Sequence, residues 1–419
     1  MHPVGKIEPQ PWMTAPATKR VVAALSAQGA EIRFVGGCVR DAILGRSVKD
    51  IDIATHDPPP VVIALLEAAG IQAIPTGIDH GTVTAVIGRD HFEITTLRMD
   101  VETDGRRARV AFTDDWMADA ARRDLTINAL FAAPDGTLYD PFGGLEDLKL
   151  GRIRFVGDAR ARIKEDVLRL LRFFRFYAHY GKPPIDQECR IACKELAYLL
   201  PTLSGERVAA ETLKLLAAPD PALVVTLMIE DGIVAHFMPE AGSVDVLRAL
   251  VTVEGIVAAS DALRRLAAMI DPAKDAAGAD TAAHRLRLSN AERERLVELA
   301  QPDTPLHVDM TAVERRRLLY RLSAERFQDL ALLAWARDIA AHGPSERRAA
   351  EAWRDHLAFG ATWQPPKFPV KGRDALALGV PAGPKVGRLI AAVESWWIEQ
   401  DFAPDRDACL AKLAALAGD

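Results

Sequence analysis

At 419 residues and 49% hydrophobic content, the chain is long enough for about three domains with sizeable buried cores. A formal net charge of -6 excludes a uniformly basic nucleic-acid binder but still allows a local cationic surface. The four cysteines, Cys38, Cys189, Cys193 and Cys409, show neither a disulfide framework nor paired metal spacing, and no run approaches the roughly 18 apolar residues of a membrane span. The opening "MHPVGKIEPQPW" lacks a basic head followed by an apolar stretch, so a cytoplasmic protein with reduced, buried thiols and no membrane association is expected.

In chain order, residues 15–28 predict a short helix ending at Gly29, and "EIRFVGG" predicts a strand broken by Gly36 and Gly37. "CVRDAILG" follows as a helix stopped by Gly45, "KDIDIAT" as a second strand, and "PPPVVIALLEAAG" as a helix opened by prolines. "GTVTAVIG" and "HFEITTLR" predict a hairpin turning through Gly88, Arg89 and Asp90, which makes the sheet small and mixed. Residues 98–114 are polar and charged, with a mobile loop expected around Asp104 and Gly105. From about residue 115 helical periodicity dominates, after a last strand-like piece at "RIRFVG"; it runs through 159–180, 203–217 and 221–231, and residues 271–283 are read as a linker. The fold class is α+β, an N-terminal head with a long all-helical extension.

The chemistry gathers at the glycine turn. In a strand, residues i and i+2 point to one face, so Asp50 and Asp52 project together and repel unless a cation separates them. Oxygen ligands of this kind suit magnesium, which binds through one or two carboxylates and substrate phosphates. Gly36 and Gly37, between a strand and a helix, offer backbone N–H groups to a phosphate, with Arg40 on the first turn of that helix. Glu93, on another strand, is a candidate third carboxylate.

These segments occur in an order that resembles the class II tRNA nucleotidyltransferases, the CCA-adding enzyme and bacterial poly(A) polymerase family of the polymerase-beta superfamily. The series is "GGCVRD", "KDIDIAT", "FEITTLR", "DAARRDLTINAL", "DPFGGLEDL", "EDVLRLLRFFRF" and "LSGERVAAETLKLL". The resemblance implies a polymerase-beta-like head (1–150), a base-recognising neck (151–217), a helical body (218–300) and a tRNA-binding tail (301–419). It implies two Mg2+ ions on Asp50 and Asp52, with Glu93 beside them as catalytic carboxylate, and CTP and ATP as substrates with tRNA as partner. Gly37, Arg40 and Arg123 would touch the nucleotide, Asp124 and Asn128 would shape the site around the ribose, and Arg172 and Arg175 would lie nearby.

Asp166 and Arg169, three apart on a predicted helix, share a face. Cytosine and adenine both present an exocyclic amino group beside a ring-nitrogen acceptor, which a carboxylate and a guanidinium match; uracil and guanine reverse that order. Nine cations between Arg152 and Lys182, against only Asp158, Glu165 and Asp166, predict a basic surface whose binding weakens with salt. The segment 368–397 reads as helix, glycine-proline hairpin, helix, similar to the tail of these enzymes. "PTGIDHGTVTAVIG" stands where poly(A) polymerases of the group carry an Arg-rich element, which favours CCA addition. Poly(A), CC-only or A-only addition are the neighbouring alternatives, and a non-catalytic RNA-binding protein the remote one.

Overall fold

The structure, a computed structural model, describes residues 1–104, 107–271, 277–344 and 347–418. The strands are β1 (Pro3–Lys6), β2 (Ile32–Val35), β3 (Ile51–Thr55), β4 (Gln72–Gly77), β5 (Thr82–Ile87), β6 (Asp90–Thr96), β7 (Arg98–Asp104), β8 (Arg107–Phe112), β9 (Phe131–Ala132) and β10 (Thr137–Tyr139). Eight of them form one mixed sheet in the order β1-β10-β9-β2-β3-β6-β5-β4, in which β3 and β6 run parallel and the other neighbours antiparallel.

The α+β class is as expected, but the sheet is larger than the sequence suggested. The unforeseen strands are weak in pattern: β1 is exposed throughout, β4 is a mostly exposed edge containing a proline and a glycine, and β9 has two residues. The central strands are anchored by Phe34, Ile53, Phe92 and Ile94, each at most 1% exposed, and burying side chains of this size is worth about 1.5–3 kcal/mol apiece. Residues 98–104 and 107–112 pair as a two-stranded ribbon of β7 and β8, in segments where methionine, valine and threonine alternate with charged residues. The loop expected around Asp104 and Gly105 falls on Gly105 and Arg106, which lie outside the described residues. "RIRFVG" makes only a single bridge, Leu125 to Phe155.

The chain divides into two compact units, one comprising residues 1–239 with 285–287 and the other 240–284 with 288–419. Within the first, the carbonyl of Arg285 lies against Gly205, and Arg287 Nη1 donates to Glu206 Oε1 at 2.9 Å. The predicted helix over 159–180 is two helices, Ala159–Glu165 and Leu168–Tyr180, interrupted at Asp166, whose φ of -148° and ψ of 107° are extended.

The second unit is helical and is built around buried ions. Arg264 Nε and Nη2 donate to Glu254 Oε1 at 2.8 and 2.6 Å, and its Nη1 to Asp329 Oδ1 at 2.7 Å. Arg265 Nε donates to Glu254 Oε2 at 2.7 Å, and Arg295 Nη2 to Asp329 Oδ2 at 2.6 Å. Residues 272–276 of the expected linker are outside the described residues, and its end already belongs to helix Gly278–Arg285. The segment 368–397 does form helix Gly372–Ala377, a turn, and helix Pro384–Glu399. Nothing among the described residues approaches the open faces of Gly379, Gly383 or Gly387. No described helix is long and apolar enough to cross a membrane, and all four cysteines are free and buried.

Candidate active site

The single parallel strand pair creates the carboxylate row. Its register sets Asp52 directly beside Glu93, so the two side chains leave the sheet on the same face. Asp50 precedes β3 by one residue instead of lying within it. Burial pushes the Asp52 carboxyl up to about 6, Glu93 and Asp50 add to the rise, and Arg123 and Arg40 oppose it. The three predicted carboxylates are thus electrostatically one cluster.

Gly36 sits where β2 turns into helix Gly37–Ile43, with φ at +71° and ψ at -122°, a backbone conformation that a side chain resists. A Cβ there would come 3.5 Å from Arg123 Nη1, which places that guanidinium over the turn. Arg123 Nη2 donates to Asp119 Oδ2 at 2.9 Å, while its Nε is buried and has no hydrogen-bond partner. Asp119, 1% exposed, also accepts from Arg122 Nε at 2.9 Å, and these arginines outweigh its burial and hold its carboxyl below the usual range.

Arg40 is more deeply engaged than a simple nucleotide contact requires. Its Nε donates to Asp41 Oδ1, one Nη2 hydrogen to Asp41 Oδ2 and the other to Tyr180 Oη, and Nη1 to Asn128 Oδ1 at 2.7 Å. That uses four of the roughly five N–H donors a guanidinium carries. Asn128 passes the link on, donating through Nδ2 to Asp124 Oδ1 at 3.1 Å, and Asp124 Oδ2 accepts from Arg172 Nε at 2.6 Å. Burial opposes the Asp124 charge, but Arg172 outweighs it and lowers the carboxyl's pKa. The chain of contacts therefore ties the glycine-turn helix to helix Leu168–Tyr180 through the segment 124–128.

Asp166 and Arg169, the expected base-reading pair, are arranged differently from the expectation. Because the helix breaks at Asp166, this residue and Arg169 are not stacked on one helical face. Asp166 accepts twice from Arg207 Nη2, at 3.0 and 2.9 Å, and once from Leu168 N at 3.1 Å. Arg169 donates from Nη1 to Glu165 at 2.7 Å and to the Arg162 carbonyl at 3.4 Å, and from Nη2 to the Arg122 carbonyl at 3.0 Å. A carboxylate offers about four acceptor sites and a guanidinium about five donors, so among the described residues Asp166 has one acceptor position unused and Arg169 its Nε–H and one Nη2–H.

The expected basic surface is partly neutralised, mostly by carboxylates from elsewhere in the chain. Arg152 and Arg154 pair with Asp147, Arg160 with Glu195, Arg162 and Arg169 with Glu165, Arg172 with Asp124 and Arg175 with Glu211. Glu211, Arg207, Asp119 and Asp147 were inside recognised motifs but carried no assigned role; only their spatial partners reveal one. Asp147 accepts from Thr126 Oγ1 at 2.7 Å and so seats the turn that carries Asn128. Gly144 packs against the same turn, and a Cβ on it would stand 2.2 Å from the Thr126 carbonyl oxygen. Gly144→Ala is therefore expected to destabilise the fold by about 2 kcal/mol, lowering the melting temperature by several degrees. An unchanged melting curve would contradict this packing.

Residues 32–154 match the model of the poly A polymerase head domain, and residues 184–243 that of a probable RNA and SrmB-binding site of polymerase A. The mitochondrial CCA tRNA nucleotidyltransferase 1 of Danio rerio is 34% identical over 391 residues, covering 92% of this chain and 87% of that protein. The chain belongs to the CCA tRNA nucleotidyltransferase family. Within that family, the CCA-adding enzyme of Geobacillus thermodenitrificans is 39% identical over 51% of this chain and 52% of its own length. The crystal structure of the Bacillus stearothermophilus CCA-adding enzyme in complex with CTP aligns with a TM-score of 0.75 at 27% identity, covering 96% of this chain and 98% of that one.

Proposed function

We propose that this protein adds cytidine, cytidine and adenosine to the 3′ end of tRNA from CTP and ATP, without a nucleic-acid template and with release of pyrophosphate. The observation that carries this reading is the 34% identity to a CCA tRNA nucleotidyltransferase, sustained over 92% of the chain. The work would follow the chain: head (1–150) for chemistry, neck (151–217) for base reading, body (218–300) and tail (301–419) for tRNA. Four free, buried cysteines accord with a reducing compartment such as the cytoplasm.

Magnesium fits the carboxylate row. Asp50 and Asp52 are hard oxygen donors, and the upward push on Asp52 from burial, Glu93 and Asp50 is relieved by a divalent cation. Among the described residues no three His, Cys, Asp or Glu groups converge as a metal cage, so two carboxylates would hold the metal and substrate phosphates and water would complete it. Bound there, two ions would supply charge stabilisation for the attacking 3′-oxygen and the departing pyrophosphate. The protein's own part is orientation. Gly36, Gly37 and Arg123 face the phosphates, Asp124 and Asn128 frame the ribose, and Arg40 fixes Asn128 from behind. Asp166 accepts from the exocyclic amino group and Arg169 donates to the ring nitrogen, which leaves UTP and GTP mismatched in a partly desolvated pocket.

The test is a tRNA transcript lacking its CCA end, incubated with magnesium and each nucleotide alone, then with CTP and ATP together, and resolved at single-nucleotide steps. Two additions from CTP followed by one from ATP and arrest are expected. Asp166→Ala should bring UTP incorporation to within about tenfold of CTP. Long adenosine tails, or addition of C alone, would replace the reading with the corresponding relative's activity.

A further inference from the structure

Phe176 and Tyr180 lie one helical turn apart on helix Leu168–Tyr180, stacked with centroids 5.8 Å apart and an interplanar angle of 28°. Around the Phe176 ring stand the guanidinium carbons of Arg175 at 4.3 Å, Arg40 at 5.2 Å and Arg172 at 5.3 Å. Arg40 also lies 4.3 Å from the Tyr180 ring. All four separations are within the about 6 Å over which a ring face attracts a cation. Tyr180 Oη accepts from Arg40 Nη2 at 2.7 Å and donates to Asp41 Oδ1 at 3.0 Å, closing a three-residue ring of hydrogen bonds.

We propose that Phe176 and Tyr180 are positioning residues, an aromatic seat that holds Arg40 in register with Arg172 and Arg175. The inference rests on the nucleotidyltransferase reading above. Arg40 comes from the helix that follows the phosphate-facing glycine turn, whereas Arg172 and Arg175 come from the helix that follows Asp166 and carries Arg169. Their separation therefore sets the distance between the contacts at the two ends of one nucleotide. Three like charges this close repel, and an aliphatic side chain of similar volume would fill the space without attracting any of them. Asp124 and Glu211 pair with the two neck arginines, and Arg40 reaches Asp124 through Asn128, so the shared ring and the Tyr180 hydroxyl add a second, direct link from Arg40 to the neck helix. Phe176 is 6% exposed, too buried to stack on a base itself.

Two variants of the full chain separate the contributions: Tyr180→Phe keeps the ring and removes the hydroxyl, and Phe176→Leu removes the ring face. Steady-state addition to a CCA-less tRNA would be measured with CTP, ATP and UTP, alongside melting temperature. For Tyr180→Phe the KM for CTP and ATP is expected to rise about tenfold and the preference for CTP over UTP to fall, with the KM for RNA unchanged and the melting temperature lowered by only about a few degrees. Phe176→Leu should shift the same quantities further. Wild-type nucleotide KM and discrimination in Tyr180→Phe would overturn the seat, as would a matched loss of kcat and melting temperature with no change in nucleotide KM. Absence of incorporation by the wild-type chain would instead remove the nucleotidyltransferase reading, and the seat with it.

Discussion

Asp52→Asn is expected to lower incorporation by about a thousandfold or more while leaving the metal-free protein folded and somewhat more stable. The loss follows, on the proposed reading, from replacing a charged metal ligand by a neutral amide. The gain in stability follows from the same carboxylate's surroundings. Its folded pKa is raised from 3.8 to about 6 by burial, then by Glu93 and Asp50. A raised acid is one whose ionised form the fold disfavours, so its destabilising effect is fully present above the folded value and fades as pH falls toward the unfolded one. At pH 7 removal of that charge should stabilise by about 1–3 kcal/mol, and at pH 4 by little. Thermal unfolding of the metal-free protein at both values, together with single-nucleotide addition, checks both halves. Incorporation that persists in Asp52→Asn would sink the assignment of the carboxylate row; a lower melting temperature at pH 7 would mean that Asp52 is held by partners rather than opposed by neighbours.

Glu254→Ala should produce the largest loss of stability in the helical second unit, about 3–5 kcal/mol. Glu254, 2% exposed, accepts from two arginines that are themselves 5% and 2% exposed, Arg264 and Arg265. Removing it leaves guanidinium charge in a desolvated interior with Asp329 as the remaining carboxylate on Arg264. A buried ion network is weak evidence of net stabilisation but strong evidence of fragility when one partner is lost. Denaturant unfolding should show the midpoint of this unit displaced well below wild type. A shift of less than about 1 kcal/mol would show that water or side-chain rearrangement reaches the cluster.

Local structure was legible in the sequence wherever one short segment held all of its causes. The strand-turn-helix at Gly36 and the hairpin at Gly88 depend on a few neighbouring residues and stand where expected, while Asp50 lies one residue before β3 rather than within it. The interruption at Asp166 was not legible, because "EDVLRLLRFFRF" keeps helical periodicity across it; the break is stabilised by Arg207, from a helix 41 residues away in sequence. The pairing within the basic surface was not legible for a related reason. A window of sequence counts its own charges, while Asp124, Asp147, Glu195 and Glu211 reach the arginines through the fold. Tyr180 carried no motif at all, and only the position of Asp41 and Arg40 beside its hydroxyl gives it meaning.

The three residues 285–287, which return to the first compact unit after the chain has left it, make that unit discontinuous. A fragment ended at residue 239 would strip the Arg285 carbonyl from Gly205 and the Arg287 partner from Glu206, at the start of the same helix that supplies Arg207 to Asp166. The first unit is therefore not a portable module: recombination between relatives at a single crossover near residue 240 would exchange part of its own foundation.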